Sequence, residues 1–365
     1  MISNEPIGII ELGSIKIKCI IFTINNKVPT ILSTALSNSE GFHNGVVVNL
    51  SKASNIIRSC ISIAEKKADV LLKKINVIIE QPEFLCTTLS KNRKINGSKI
   101  DKDDIIFLLK EAKKQVTLND NTHSIIHIFN HNYSVDGKTF TEEPIDVYAN
   151  YLSHEMTFVT MPKNNIKNIR QAFTDCDIEV DRFISCTFSL GIQLLNINDL
   201  QFGSILIDMG AEKTSLGLFK NLALINSITL PIGINHIIKD LMKVCLLSSE
   251  EAKTLIKKID FSFDKNGQLF DKNELLISSY FNQTNYRKIS KTLLLNVVQA
   301  RLNEIFETLK KQIIIAGFDP KFGNNLYITG GGSKLMNLPK FCSNFFGSNV
   351  KQLVKKNNPK ELPLP

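Results

Sequence analysis

Residues 7–22 read IGIIELGSIKIKCIIF, and residues 204–219 read SILIDMGAEKTSLGLF. Each stretch is an apolar run, a carboxylate (Glu11 or Asp208), one apolar residue, a glycine (Gly13 or Gly210), a few small or polar residues and a second apolar run. That order is the signature of strand, tight turn, strand. The two carboxylates stand 197 positions apart, which predicts two similar halves, each opening on the same hairpin. The period is far too long for a solenoid repeat. A third glycine cluster, Gly330-Gly331-Gly332, directly follows a strand-like stretch at 326–329.

Working outward from the hairpins, Ser51 is read as the start of a helix with Ile56, Ile57, Cys60, Ile61 and Ala64 on one face. Residues 77–80 read as a buried strand. Residues 101–115 predict a helix capped by Asp101, with Asp103 and Asp104 in the first turn and Lys113 and Lys114 in the last. Residues 123–135 and 155–161 read as strands, Ser249 starts a short helix, and 290–316 carries a long helical period. The segment from Lys351 to Pro365 is polar and then proline-rich, a loosely ordered tail.

With 365 residues, 43% hydrophobic and 22% charged, the chain has enough apolar material for two or three domain-sized units. Lysine and arginine exceed aspartate and glutamate by 44 to 35, a balance that favours acidic partners. The seven cysteines are odd in number, scattered and without a CxxC pair, which fits a reducing compartment and no disulfide framework. No basic leader followed by a long apolar stretch opens the sequence, and no apolar run approaches the roughly 18 residues of a membrane span. The expected location is therefore cytoplasmic. Basic residues are dispersed rather than gathered with aromatics, so nucleic-acid binding is not expected.

A glycine turn between strands brings backbone N–H groups close to a phosphate, because no Cβ blocks the approach. Gly13-Ser14 and Gly210–Thr214 are such turns, with hydroxyls on Ser14 and Thr214 and charge on Lys16 and Lys213. Glu11 and Asp208 can hold the water shell of a magnesium ion. No GxxxxGK[ST] or GxGxxG motif is present, so neither the Walker nor the Rossmann reading applies. His123, His127 and His131 are spaced by four, but they lie in a strand-like run, where four residues span about 13 Å, too far for one metal.

Two phosphate-type loops and a third glycine loop resemble the actin superfamily. Residues 41–69, GFHNGVVVNLSKASNIIRSCISIAEKKAD, and 123–160, HSIIHIFNHNYSVDGKTFTEEPIDVYANYLSHEMTFVT, resemble the FtsA cell-division family, as do LPIGINHIIKDL at 230–241 and YITGGGSKLMNL at 327–338. The resemblance covers about residues 7–350 and is most specific in the stretch corresponding to the family's insertion subdomain. It implies an α/β, actin-like two-lobed ATPase fold with an FtsA-type α+β insertion subdomain in the first lobe. It divides the chain into a first core subdomain (1–84 and 162–199), the insertion (85–161), a second core subdomain (200–241 and 325–350), a small helical subdomain (242–324) and a tail (351–365).

The same resemblance implies ATP with Mg2+ in a cleft. The phosphate-loop positions fall on Gly13, Ser14, Lys16, Asp208, Gly210 and Thr214, and the adenosine loop on Gly330, Gly331 and Gly332, with Glu11 and Asp208 holding magnesium through water. It implies binding of the FtsZ C-terminal peptide, self-association into filaments, contact with later division proteins, and a place on the inner face of the membrane at the division site. The stretch matching the family's FtsZ site is 285–304, where Arg287, Lys288, Lys291 and Arg301 present a basic face suited to an acidic peptide. Members of the family continue into a linker and an amphipathic membrane helix. This sequence ends at Pro365, so membrane contact is expected to be indirect or weak. Leu338, Phe341, Phe345 and Phe346, beside several lysines, are read as a core-packing face in preference to a membrane face.

Several positions depart from the family pattern. Glu11 replaces an Asp, Glu212 a Gly, Ser215 an Asp, Ile234 a Gly, Lys253 the Glu that grips ribose, and Ile256 its Lys partner. These changes predict an assembly protein with weak or no ATP turnover. Two other readings of the same superfold stand beside it: a type IV pilus-assembly protein of the PilM kind, and a phosphotransferase or phosphatase.

Overall fold

Alternation of buried and half-buried residues along β1 (Ile7–Leu12) sets the first sheet: Gly8, Ile10 and Leu12 face the core, and Glu11 points the other way. The computed structural model describes residues 5–26, 28–258, 275–276, 288–318 and 325–353. The chain divides into two units. The first holds residues 1–201 together with 219–227, and the second holds 202–218 and 228–356.

In the first unit β1 pairs antiparallel with β2 (Lys16–Asn25), which pairs antiparallel with β3 (Val28–Asn38). A short ribbon, β4 (Phe42–His43) and β5 (Val46–Val47), leads into α1 (Leu50–Ala68). The helix is capped by Asn49, whose side chain accepts from the Lys52 N–H at 3.0 Å; Ser51, the sequence-based start, lies inside the first turn. β6 (Lys74–Ile79) then runs parallel to β1.

The chain next leaves the core to build a second sheet from β7 (Leu85–Lys99), α2 (Lys102–Asn119), β8 (His123–Val135), β9 (Lys138–Phe140) and β10 (Tyr148–Pro162), with strand order β7-β10-β8-β9. The start of α2 follows the sequence: Asp101 and Asp104 form a capping box, each side chain accepting from the other's backbone N–H at 2.9–3.0 Å. Its end does not. The helix runs to Asn119 because Val116 still packs into the core, so Lys113 and Lys114 are mid-helix residues. The chain re-enters the core through α3 (Lys163–Thr174), β11 (Glu179–Ser185), α4 (Cys186–Leu194) and α5 (Ile197–Phe202). Sheet order is β11-β6-β1-β2-β3. One core joins Ile10, Ile17 and Cys19 of the sheet to Ile57, Cys60 and Ile61 of α1 and Phe173 of α3.

The second unit, taken with the hairpin tip at 219–227, repeats this order. β12 (Ser204–Met209), β13 (Thr214–Lys220), β14 (Ala223–Leu230), β15 (Asn325–Thr329) and β16 (Val350–Gln352) form a sheet β16-β15-β12-β13-β14. β12–β15 and β15–β16 are parallel, as β1–β6 and β6–β11 are. The sequence reading of two similar halves is thus met strand for strand. Residues from Lys351 were read as tail, yet Val350–Gln352 is the parallel edge strand of this sheet.

The helices of this unit are α6 (Ile234–Val244), α7 (Ser249–Lys258), α8 (Lys291–Ile315) and α9 (Leu338–Phe346). α8 buries Leu294, Leu295, Val298, Leu302, Ile305, Phe306 and Leu309 along its helical period and leaves Leu293 exposed. Phe306 of α8 meets Phe341, Phe345 and Phe346 of α9 at ring distances of 6.1, 5.7 and 5.5 Å, so the apolar face of α9 is spent on the core. Among the described residues no helix is long and apolar enough to cross a membrane.

Candidate functional site

Glu11 and Asp208 occupy the fifth position of two equivalent six-residue strands, and each strand then makes a glycine turn into the next. In the first unit Glu11 lies in register with Lys18 of β2 and Ile78 of β6. A Cβ on Gly13 would stand 2.5 Å from the Lys16 carbonyl oxygen, so only glycine permits the turn. The Ser39 N–H donates to the Ile15 carbonyl at 2.8 Å and ties the loop to the end of β3. Ser14 is half-buried, and Ile15 and Lys16 are exposed.

The second unit makes the same turn. The Gly210 N–H donates to the Lys213 carbonyl at 2.8 Å, and a Cβ on Gly210 would stand 2.9 Å from that oxygen. Here the third glycine loop closes on the second. Asp208 pairs in register with Thr329, and Gly330 follows with φ +88°. A Cβ at Gly330 would overlap Asp208 Oδ1 and stand 2.5 Å from the Met209 carbonyl. Gly332 is also crowded, by the side chains of Ile234 and Met209 at 2.7–2.8 Å, whereas Gly331 has open space around it.

The N-terminus of α6 locks the loop from behind. The Ile234 and Asn235 N–H groups donate to the Gly210 and Ala211 carbonyls at 3.1 and 2.8 Å. A Cβ on Gly233 would stand 2.6 Å from Ala211 O. Gly233 is a site residue that the loop motifs alone did not single out; its signal is the Pro231-Ile232-Gly233 step into the helix. Asn235 Nδ2 donates to Glu212 Oε1 at 2.5 Å and Lys239 approaches the other oxygen at 4.0 Å, so the extra carboxylate of this loop is held by α6. Ile234, the departure from glycine, packs on Gly332. Thr214 differs from expectation. Its side chain is buried, and its hydroxyl donates to the Ile232 carbonyl at 2.7 Å, a brace of the loop in place of an outward donor. Ser215 likewise turns inward to Thr229 at 3.0 Å.

In each unit the glycine turn, Gly13 in the first and Gly210 with Gly330 in the second, is a cradle where any side chain would collide with backbone, the kind of backbone that accepts a phosphate. The ribose part fits less well: Lys253 is exposed, and Ile256, where the resemblance places a lysine, is buried.

The basic face at 285–304 is partly redrawn. Arg287 lies outside the described residues. Lys288 is exposed but precedes α8, and Lys291 is the helix's first residue. Arg301 is engaged. Its Nε and Nη2 donate to both carboxylate oxygens of Asp240 at 2.7 and 3.1 Å, and Nη1 reaches Glu304 at 2.5 Å. Those carboxylates raise its pKa and make it a clamp between α8 and α6.

The three histidines of β8 go separate ways. His123 meets Asp120 at 2.6 Å, His127 accepts from the Ser185 N–H at 2.9 Å, and His131 bonds the Thr157 hydroxyl. Among the described residues no three His, Cys, Asp or Glu gather as metal ligands. Sequence reading also passed over buried Glu80, whose Oε2 accepts from the Ser185 hydroxyl and the Thr187 N–H at 2.9 Å each and anchors the start of α4.

Comparison with known proteins places this geometry. A profile described as "Cell division protein FtsA" matches residues 205–362, and one described as "SHS2 domain inserted in FTSA" matches residues 85–160, the four-stranded sheet and its helix. The chain belongs to the FtsA family. It is 23% identical over 362 residues to the cell division protein FtsA of Agrobacterium fabrum, covering 95% of this chain and 81% of that one. It is 24% identical to that of Borreliella burgdorferi, covering 91% and 80%, and 22% identical to that of Streptococcus pneumoniae, covering 94% and 74%. Among solved structures, a PilM-PilN type IV pilus biogenesis complex superposes at TM-score 0.65 with 12% identity, covering 99% of this chain and 90% of that one. MreB5 of Spiroplasma citri bound to ADP superposes at 0.54 with 12% identity, covering 97% and 93%. These likenesses establish the actin-like fold of this FtsA-family chain.

Proposed function

We propose that this chain is an actin-like adaptor of bacterial cell division. It binds ATP with Mg2+ at its glycine loops, binds the acidic C-terminal peptide of FtsZ, and self-associates. It links FtsZ filaments to the inner face of the membrane, where later division proteins join. The observation that carries this reading is the SHS2-type sheet at 85–160 set into a duplicated actin-like core. On this reading Gly13, Ser14 and Lys16 form the phosphate loop of the first unit and Gly210 that of the second, and the Gly330–Gly332 loop, open at Gly331, takes the adenosine side. Magnesium, held through water by Glu11 and Asp208, would neutralise phosphate charge. The longer Glu11 and the inward-turned Thr214 favour binding over turnover, since displacement of a reacting group by about 1 Å can cost a hundredfold in rate.

FtsZ binding is assigned to Arg287, Lys288 and Lys291, with Arg301 positioning α8 against α6 through Asp240. Titration of the purified chain with the C-terminal peptide of its own organism's FtsZ tests this. Micromolar binding is expected, weakened by salt and at least tenfold by Arg287→Glu with Lys288→Glu. Absence of binding with and without ATP overturns the adaptor reading and moves the pilus-assembly and phosphotransferase readings ahead.

A further inference from the structure

The capped helix α2 of the insertion subdomain has two unlike faces. Inward it buries Ile105, Leu108, Ala112 and Val116. Outward it exposes Ile106 (43%), Phe107 (44%) and Leu118 (73%), three large apolar side chains on one face of one helix. Between them stand Lys110, Lys113 and Lys114, all exposed. Spacings of three and four residues put all six on one side of the helix. Among the described residues the acids of this helix and its caps are the capping Asp101, exposed Asp103 in the first turn, half-buried Glu111, Asp104, which is committed to Arg93 at 3.0 Å, and Asp120, which meets His123 at 2.6 Å. The same Arg93 lies over the Phe107 ring at 4.4 Å and fixes that ring at the border of the sheet.

We propose that the outer face of α2 docks on an anionic membrane surface. Charge complementarity selects the partner, since the three lysines outnumber the uncommitted acids on this face. Shape selects a bilayer over an acidic peptide. The apolar groups project singly from a convex helix with lysines between them. A fluid interface accepts such projections one by one, and lysine stems bend around them. A peptide needs a groove to bury its own side chains. This assignment goes beyond the adaptor reading, which places nucleotide and FtsZ on other elements, and it stands or falls separately.

Sedimentation of the full chain with vesicles tests it. Binding is expected to vesicles of phosphatidylglycerol mixed with phosphatidylcholine, weaker at high salt and absent with phosphatidylcholine alone. The triple variant Lys110→Glu, Lys113→Glu, Lys114→Glu is expected to lose at least tenfold, and Phe107→Ser with Leu118→Ser to lose severalfold. Reversal of Lys52, Lys66 and Lys73, exposed lysines of the first unit, serves as the charge control and is expected to cost much less. Unfolding midpoints confirm that each variant is folded. No binding to the anionic vesicles, or equal loss in the α2 and control triples, overturns the proposal. So does an α2 triple that abolishes capture of an acidic peptide while vesicle binding is unchanged.

Discussion

Gly330 and Gly331 are adjacent, yet they are glycines for different reasons. Gly330 sits at φ +88°, and a Cβ there would run into Asp208 and the Met209 carbonyl. Gly331 is right-handed, φ −62° and ψ −34°, with open space around its α-carbon. Gly330→Ala should therefore destabilise the second unit by about 2 kcal/mol or more, through strain and displacement of Asp208. Gly331→Ala should leave stability unchanged or raise it by about 0.5 kcal/mol, because the unfolded chain loses freedom and the folded one loses nothing. If the adenosine side rests on Gly331, the same methyl should weaken ATP binding. Chemical unfolding beside an ATP titration separates the two: one variant unstable, the other stable but weak in binding. The sequence showed three glycines in a row and assigned them one role. Which of them braces the fold depends on where Asp208 and Ile234 lie, and they meet the cluster only in the folded second unit.

At the scale of elements, legibility followed locality. α2 began where Asp101 said it would, because both halves of a capping box lie within four residues. Asp101→Ala should cost about 1 kcal/mol of stability, and Asp101→Ser should restore most of it, read from shifts in the urea midpoint. The end of α2 was not legible, since Val116 keeps the helix going through contacts distant in sequence. The start of β10 was missed for a related reason. Residues 148–154 gave no strand signal of their own, yet Tyr148 pairs with Lys99 of β7 and Ser153 with Asn92 of β7 and Ser134 of β8, while Asn150 sits at a register shift. Polar residues are tolerated further in because the hairpin tip at 219–227 covers that face: the Ile225 carbonyl accepts from Thr157 at 3.4 Å and from Thr88 at 3.5 Å. Arg301 looked like a free cation beside Lys291 for the same lack of local signal; Asp240, its partner, lies 61 residues earlier.

Across the whole chain the duplication was legible, because Glu11 and Asp208 hold the same offset to their glycines and the two sheets share one strand order. How the molecule answers acid was not legible, since it depends on burial. Burial holds His127 and His154 down to about 4 and lowers His131, with Glu155 opposing the last in part. Both ring nitrogens of His154 lack a hydrogen-bond partner among the described residues, and the ring stacks on Tyr133 at 4.1 Å. A histidine kept neutral when folded binds fewer protons than its unfolded counterpart between pH 4 and the ordinary value near 6.5. Its contribution is therefore complete above about pH 6.5 and is lost as pH falls toward 4. Each of the two deepest shifts is worth about 3 kcal/mol at full effect, a large share of a typical stability of about 5–15 kcal/mol. Net charge compounds the loss: the chain is already +9 with its six histidines neutral, and every proton gained adds to self-repulsion. The urea midpoint should fall steeply between pH 7 and pH 5. His154→Phe should be more stable at pH 7 by about 1 kcal/mol, having no orphaned ring nitrogens, and its midpoint should fall less on acidification. A variant with the wild-type slope would assign the acid response to the other titrating groups and away from His154.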